Sequence, residues 1–208
     1  MEDVLDLYMQ PFDSQYPVIC MDEKPFQLTD EKRTPIPMKP LKPERRDSEY
    51  IRKGTCSIFV FTEPLAGWRH LSVRERRTKV DWAYEIKNLL EIYYPEAFKV
   101  RLVMDNLNTH SISSLYEAFD PETARNLAKR LEIHYTPKHG SWLNIAEIEL
   151  SVMTRQCLGR RIPNIGDLSL ELSKWESHRN CIQKGVDWQF TTEDARIKLK
   201  RLYPQFKS

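Results

Sequence analysis

Three acidic positions in this chain stand where carboxylates can do metal chemistry. Asp22 follows the apolar run Pro17-Val-Ile-Cys-Met21, and Asp105 follows Val100-Arg-Leu-Val-Met104. Both runs are short and apolar, as strands are. Sites in open α/β sheets gather at the carboxyl ends of strands, so two neighbouring parallel strands would set these aspartates side by side. Paired carboxylates are hard oxygen donors of the kind magnesium takes. The same pair could equally act as general acid and base. An aspartate ending a strand is also a common turn-former, so the two positions alone do not define a site. A third acid can come from His139-Gly-Ser-Trp-Leu-Asn-Ile-Ala-Glu-Ile-Glu149, a loop running into a helix. Ser141 or Asn144 can cap that helix. Glu147 and Glu149 would lie about 200° apart around its axis, so one can face the aspartates and the other cannot. Spacing leaves that choice open, and an acid near a helix N-terminus is favoured there in its own right.

The elements that must position these acids can be read from periodicity. Val4, Leu5, Tyr8 and Met9 fall at helical spacing. The run 17–21 predicts a strand ending at Asp22 and Glu23, and Cys56-Ser-Ile-Phe-Val-Phe-Thr62 predicts a second, with Gly67 in the turn after it. Trp82, Ile86, Leu89, Leu90 and Tyr93 predict a helix over 81–93, stopped by Pro95. Residues 100–104 form a strand, 113–130 one or two helices broken near Pro121, and 133–136 a short strand. After a turn at Pro137 to Gly140, a helix begins near Asn144 and runs past Met153. Trp175, Trp188 and a final Arg/Lys-rich helix complete the chain. Early strands joined by loops imply antiparallel pairing, and later strands joined by helices imply parallel crossovers. The expected fold is α/β, a mixed sheet flanked by helices.

Residues 31–47 differ from the rest. Pro35, Pro37, Pro40 and Pro43 oppose regular structure, while Lys32, Arg33, Lys39, Lys42, Arg45 and Arg46 make the stretch basic. It reads as an extended, solvated arm, either an ordinary charged loop or a DNA contact. Further basic clusters are Arg74, Arg76, Arg77 and Lys79, then Arg155, Arg160 and Arg161. The total charge does not announce a nucleic-acid binder: 32 Lys and Arg against 30 Asp and Glu leave +2. Location matters more than the sum.

Length and composition exclude several classes. A chain of 208 residues, 40% hydrophobic and 11% aromatic, can bury a real core. Cys20, Cys56, Cys157 and Cys181 contain no C-x-x-C pair, which argues against a zinc knuckle or disulfide scaffold and for reduced thiols. No apolar run approaches membrane-spanning length, and the acidic N-terminus MEDVLDLYMQ is unlike a signal peptide. A cytoplasmic protein is expected. No Gly-x-Ser-x-Gly elbow supports an α/β hydrolase.

Four motifs in order then resemble a known family. Cys20-Met-Asp-Glu-Lys24, Glu49-Tyr-Ile-Arg-Lys-Gly-Thr55 leading into a strand, Met104-Asp-Asn-Leu-Asn-Thr-His110, and His139-Gly-Ser-Trp-Leu-Asn144 followed by Ile-Ala-Glu147 are similar to the catalytic domain of DDE transposases of the mariner-type superfamily, in its bacterial insertion-sequence branch. The resemblance covers roughly residues 16–160. It implies a ribonuclease-H-like, five-stranded mixed sheet. It makes Asp22, Asp105 and Glu147 the catalytic and metal-binding acids, and it alone selects Glu147 over Glu149.

Such a triad holds two Mg2+ ions, with Mn2+ able to substitute. Ions about 3.5–4 Å apart activate the attacking water and stabilise the leaving 3′ oxygen. Asp22, on the central strand, is the candidate bridging ligand. The implied reaction is cleavage at transposon ends followed by strand transfer into target DNA. Lys39, Lys42, Arg45, Arg46, Asn106, Asn108, His110, His139 and Trp142 are candidate DNA contacts; His110 could instead orient Asp105 or cap a turn, and Trp142 could simply anchor its helix. The expected partners are DNA, a second copy of the chain in a homodimer, and a separate DNA-binding chain or domain, since the helix-turn-helix segments that relatives use are missing. A truncated reading frame or a trimmed chain would also account for that absence. The expected organisation is an N-terminal helix and linker (1–15), a catalytic domain (16–175) bearing the basic arm (31–47), and a helical tail (176–208). Two rivals stand beside this reading: a nuclease of the same fold without strand transfer, and a catalytically silent remnant that binds DNA or dimerises.

Overall fold

Apolar residues alternate along the strands, and that alternation builds two faces. The computed structural model describes residues 1–138 and 140–203. Five strands, β1 (Val18–Glu31), β2 (Tyr50–Glu63), β3 (Trp68–Arg74), β4 (Val100–Met104) and β5 (Leu131–Tyr135), form one sheet in the order β3-β2-β1-β4-β5. The loop-joined pairs β1–β2 and β2–β3 are antiparallel, and the helix-joined pairs β1–β4 and β4–β5 are parallel. The mixed sheet expected from connection type is therefore observed.

Ile19, Met21, Phe59, Phe61, Leu102 and Met104 point to one face. There they bury against Trp82 and Ile86 of α2 (Lys79–Asn88), Leu115 of α3 (Ile112–Ala118) and Leu127 of α4 (Pro121–Lys129). The interleaved Val18, Cys20, Ile58, Val60 and Val103 point to the other face. This face is covered by α1 (Glu2–Tyr8), α5 (Ala146–Gln156), α6 (Ile165–Ile182) and α7 (Thr192–Lys198). Thr78 and Asp81 form a capping box that starts α2, which continues as a π-turn over Leu89–Tyr93. Asp120 caps α4 with Pro121 at its first position, which separates α3 from α4. The helix α6 runs unbroken through Trp175 and past it, across the boundary at 175 expected from sequence. All four cysteines are free thiols, three buried and Cys181 exposed. Among the described residues, no helix is long and apolar enough to cross a membrane.

Three local expectations are corrected. The first strand does not end at Asp22: β1 continues to Glu31, paired with β2 from Cys20↔Thr62 to Glu31↔Tyr50. Beyond Met21 only Leu28 of β1 is buried, so hydropathy fades while the backbone ladder persists. What stops just before Asp22 is the parallel pairing with β4, Val18↔Arg101 to Cys20↔Val103. Second, β3 has no counterpart in the periodicity, because Trp68-Arg-His-Leu-Ser-Val-Arg74 places a charged Arg69 at a buried position. Third, the proline-rich arm is not simply extended. Ile36 and Arg45 exchange backbone hydrogen bonds of 2.9 and 3.1 Å, and Lys39 and Lys42 exchange two of 2.9 Å. The tip turns through Pro40 and Leu41, whose φ of 62° is the left-handed geometry a type II turn demands at its third residue. The arm is thus an irregular hairpin crowning the β1–β2 ribbon.

Candidate active site

Strand parity brings the acids together. Asp22 follows Met21 and so shares the face of Val18 and Cys20, and Asp105 is the first residue past β4, directly after Met104. Both lie just past the carboxyl end of the β1–β4 parallel pairing, two residues beyond Cys20↔Val103. The helix α5 covers that same face, and Glu147 is its second residue. Asp22, Glu23, Lys24 and Pro25 of β1 form one wall of an open groove, and Glu147, Leu150, Ser151, Thr154 and Arg155 form the opposite wall. Asp105 lines an adjoining cleft with Asn106, Leu107, Thr136, Pro137, Lys138 and Ser141.

Asn144 ties the two walls together. Its side chain is buried, donates from Nδ2 to the Met21 carbonyl at 2.8 Å, and accepts from the Ala146 N–H through Oδ1 at 3.2 Å. One residue thus clamps the start of α5 to the strand position next to Asp22. Tyr8 adds a brace from α1, donating to the Leu143 carbonyl at 2.7 Å.

The carboxylates feel one another. Burial pushes Asp22 up to about 6, and the charges of Asp105, Glu147 and Glu23 push the same way, while a 2.7 Å hydrogen bond from the Glu23 N–H opposes them. Glu23 has the opposite parity and points to the α2–α3 face, where Arg77 lies 3.3 Å away and His110 Nε2 3.5 Å. His110 is fully buried, with Nδ1 2.7 Å from Asp105 Oδ1 and 3.3 Å from the Asp105 carbonyl oxygen. Burial alone would lower the His110 pKa, but contacts with Asp105 and Glu23 outweigh it and hold the imidazole at about 9. The side chain that sequence left between orienting Asp105 and meeting DNA is placed for the first and has no exposed surface for the second.

The remaining candidates separate. Asn106 and Asn108 are exposed beside the acids. Trp142 is 41% exposed yet packs edge-on against Phe190 at 5.7 Å, so it anchors its loop while keeping a free face. Lys39, Lys42, Arg45 and Arg46 are exposed on the hairpin, with Arg46 paired to Glu44 at 3.1 Å and Glu31 at 3.7 Å. His139 lies outside the described residues. Sequence reasoning missed Glu23, Lys24 and Asn144 as parts of the groove and its frame. The period-2 placement of Glu23 opposite Asp22 was the signal for the first.

Glu149 is buried and faces away from the groove. Arg69 Nη2 lies 2.9 Å from Glu149 Oε1 and Arg179 Nη2 3.1 Å from the same oxygen. Of the two glutamates on α5, Glu147 faces Asp22 and Glu149 does not.

The donor chemistry fits a hard divalent cation. Every candidate ligand is a carboxylate, and their mutual repulsion is relieved by positive charge. Among the described residues no three acid, histidine or cysteine side chains converge closely enough to enclose an ion as they stand. The acids line open clefts.

Comparison with known proteins bears on family and fold. A family model described as DDE superfamily endonuclease matches residues 17–169. Among solved structures, the Mos1 strand transfer complex superposes with a TM-score of 0.57 at 15% identity, covering 85% of this chain and 51% of that one. The Mos1 mariner paired-end complex with Mn gives 0.56 at 18% identity, covering 85% and 52%. A Mos1 paired-end complex with the left transposon end gives 0.54 at 16% identity, covering 78% and 48%. The chain spans about half the length of the transposases it matches. No curated protein matches it. At these identities the superpositions establish the ribonuclease-H-like fold, and the family match across most of the chain carries the rest: the chain belongs to the DDE superfamily endonucleases.

Proposed function

We propose that the chain is the catalytic part of a transposase, of the mariner-type superfamily in its bacterial insertion-sequence branch. In this reading it cuts DNA at transposon ends and joins the freed 3′ ends to target DNA. The observation that carries the proposal is that Asp105 and Glu147 both lie near enough to Asp22, at the end of the β1–β4 pairing, for their charges to raise it. Asp22, Asp105 and Glu147 would hold the ions, with Asp22 the candidate shared ligand. Two Mg2+ or Mn2+ ions bound there would supply activation of the nucleophile and stabilisation of the leaving oxygen.

The protein's own side chains do the rest. His110 and Glu23 hold Asp105 from behind, and Asn144 keeps Glu147 opposite Asp22. Lys24 and Arg155, on the two walls of the groove, take backbone phosphates leading into the acids. Asn106 and Asn108 border the same path, Trp142 sits on the loop before α5 to meet the strand, and His139 is a further candidate contact. Lys39, Lys42, Arg45 and Arg46 give a sequence-independent grip at the hairpin. The Mos1 structures similar to this chain are complexes of paired transposon ends, which supports DNA as the substrate and a homodimer as the acting form. A separate end-reading domain or chain completes the assembly, in the bacterial cytoplasm at the nucleoid.

The test is supercoiled-plasmid nicking with Mn2+, followed by joining of pre-cut 3′ ends to target DNA. Wild type nicks and joins, and Asp105→Ala does neither and loses Mn2+ binding by titration calorimetry. Nicking without joining would favour a nuclease of the same fold. Equal Mn2+ binding by wild type and Asp105→Ala would refute the site.

A further inference from the structure

We infer that Glu149, with Arg69 and Arg179, is a positioning device that sets the rotation of α5 and so aims Glu147 at Asp22. The inference rests on the proposed role of Glu147. Glu149 is the fourth residue of α5, two after Glu147 and about 200° around the axis. A helix held on one side at Glu149 therefore presents Glu147 on the other.

The hold is specific in direction. Arg69 reaches Glu149 Oε1 at 2.9 Å while also donating to the Lys184 carbonyl at 2.7 Å and to the Gly67 carbonyl. Its backbone is gripped by Asn180 of α6, which accepts from the Arg69 N–H at 2.8 Å and donates to its carbonyl at 2.7 Å. Arg179, also from α6, approaches both Glu149 oxygens at 3.1 and 3.4 Å and lies over the Trp175 ring. One carboxylate thus joins α5 to the edge strand β3 and to α6. Arg69 and Glu149 are both about 2% exposed. The desolvation of such charges is costly and an apolar filling would pack as well, so stability alone does not account for them. What an ion pair adds is a preferred angle, because guanidinium and carboxylate are planar and satisfied only in register. Simple apolar contacts of Ala146 and Met153 would tolerate a rotation of α5 that the ion pairs do not.

The test uses the full chain with Glu149→Gln and, separately, the charge-free set Arg69→Met, Arg179→Met and Glu149→Leu. The set covers the case in which Glu149→Gln, with two guanidiniums left facing a neutral amide, fails to fold. Readouts are Mn2+ affinity by calorimetry, the melting temperature in EDTA, and kcat and KM for plasmid nicking well below the melting temperature. Folded variants should bind Mn2+ about tenfold or more weakly and lose kcat with KM for DNA unchanged. Unchanged Mn2+ affinity and kcat in a folded variant, whatever the melting temperature does, would overturn the inference. Glu147→Gln, run beside them, separates the two levels. If it too leaves Mn2+ binding and nicking intact, the proposed site is wrong; if it abolishes both while the Glu149 variants do not, only the positioning role is.

Discussion

Removing the charge of Asp22 should make the metal-free protein more stable while ending metal binding. In the folded chain Asp22 is held at about 6 rather than 3.8, chiefly by burial and then by its carboxylate neighbours. At 1.36 kcal/mol per pH unit, that disfavours the folded anion by up to about 3 kcal/mol. The direction follows from linkage. An acid whose folded pKa is raised costs nothing below pH about 4, where it is protonated in both states. The cost grows between about 4 and 6 and is fully present above 6. Asp22→Asn keeps the shape and leaves an oxygen to accept from the Glu23 N–H, so the change isolates the charge. For a domain of this size, about 3 kcal/mol corresponds to roughly 6–12 °C in melting temperature. In EDTA at pH 7.5, Asp22→Asn should melt higher by up to that amount, and the gap should close on titration to pH 4. Mn2+ at 1,000 times its Kd should reverse the order, since it stabilises wild type by about 4.1 kcal/mol and has no full site in the variant. A variant that melts no higher than wild type in EDTA at pH 7.5 would refute the electrostatic account of the groove.

Asn144→Ala removes the clamp between β1 and α5 and leaves the Met21 carbonyl and the Ala146 N–H without their partner. Urea denaturation should show a loss of about 2–4 kcal/mol, and a loss under 1 would mean the clamp carries no weight. Replacing Lys39, Lys42 and Arg45 together with alanine should lower the slope of log K against log salt for duplex DNA by about 2–3, since each phosphate contact contributes about 0.9. An unchanged slope would take the hairpin off the DNA path.

Much of the fold is legible in local pattern, for reasons that particular residues show. The runs 18–21, 56–61 and 100–104 are buried on both faces, so nearly every side chain is apolar and the strands stand out. Asp120-Pro121 marks a helix start because its side-chain cap and fixed φ are local devices. Where partners lie far along the chain, the pattern fails. The buried Arg69 in β3 is acceptable only because Glu149, 80 positions away, and the Lys184 carbonyl meet it. The polar half of β1 is a strand because β2 pairs with it, which no feature of residues 22–31 reveals. The hairpin within the arm depends on Leu41 taking a left-handed conformation uncommon for its type.

The sequence by itself determined that two aspartates follow apolar strand segments and that a helix carrying two glutamates comes after them. Those are properties of short-range spacing and burial. Only the tertiary structure decided that Asp22 and Asp105 lie near one another, through the parallel pairing of β1 with β4. It also decided which glutamate looks at them. A helix bearing acids at positions 147 and 149 can be turned either way, and the direction is fixed by the guanidiniums of Arg69 and Arg179 drawing Glu149 into the protein. The physical reason is the same in each case: a side chain's orientation about a helix or across a sheet is set by what lies opposite it, and that is not a local property of the chain.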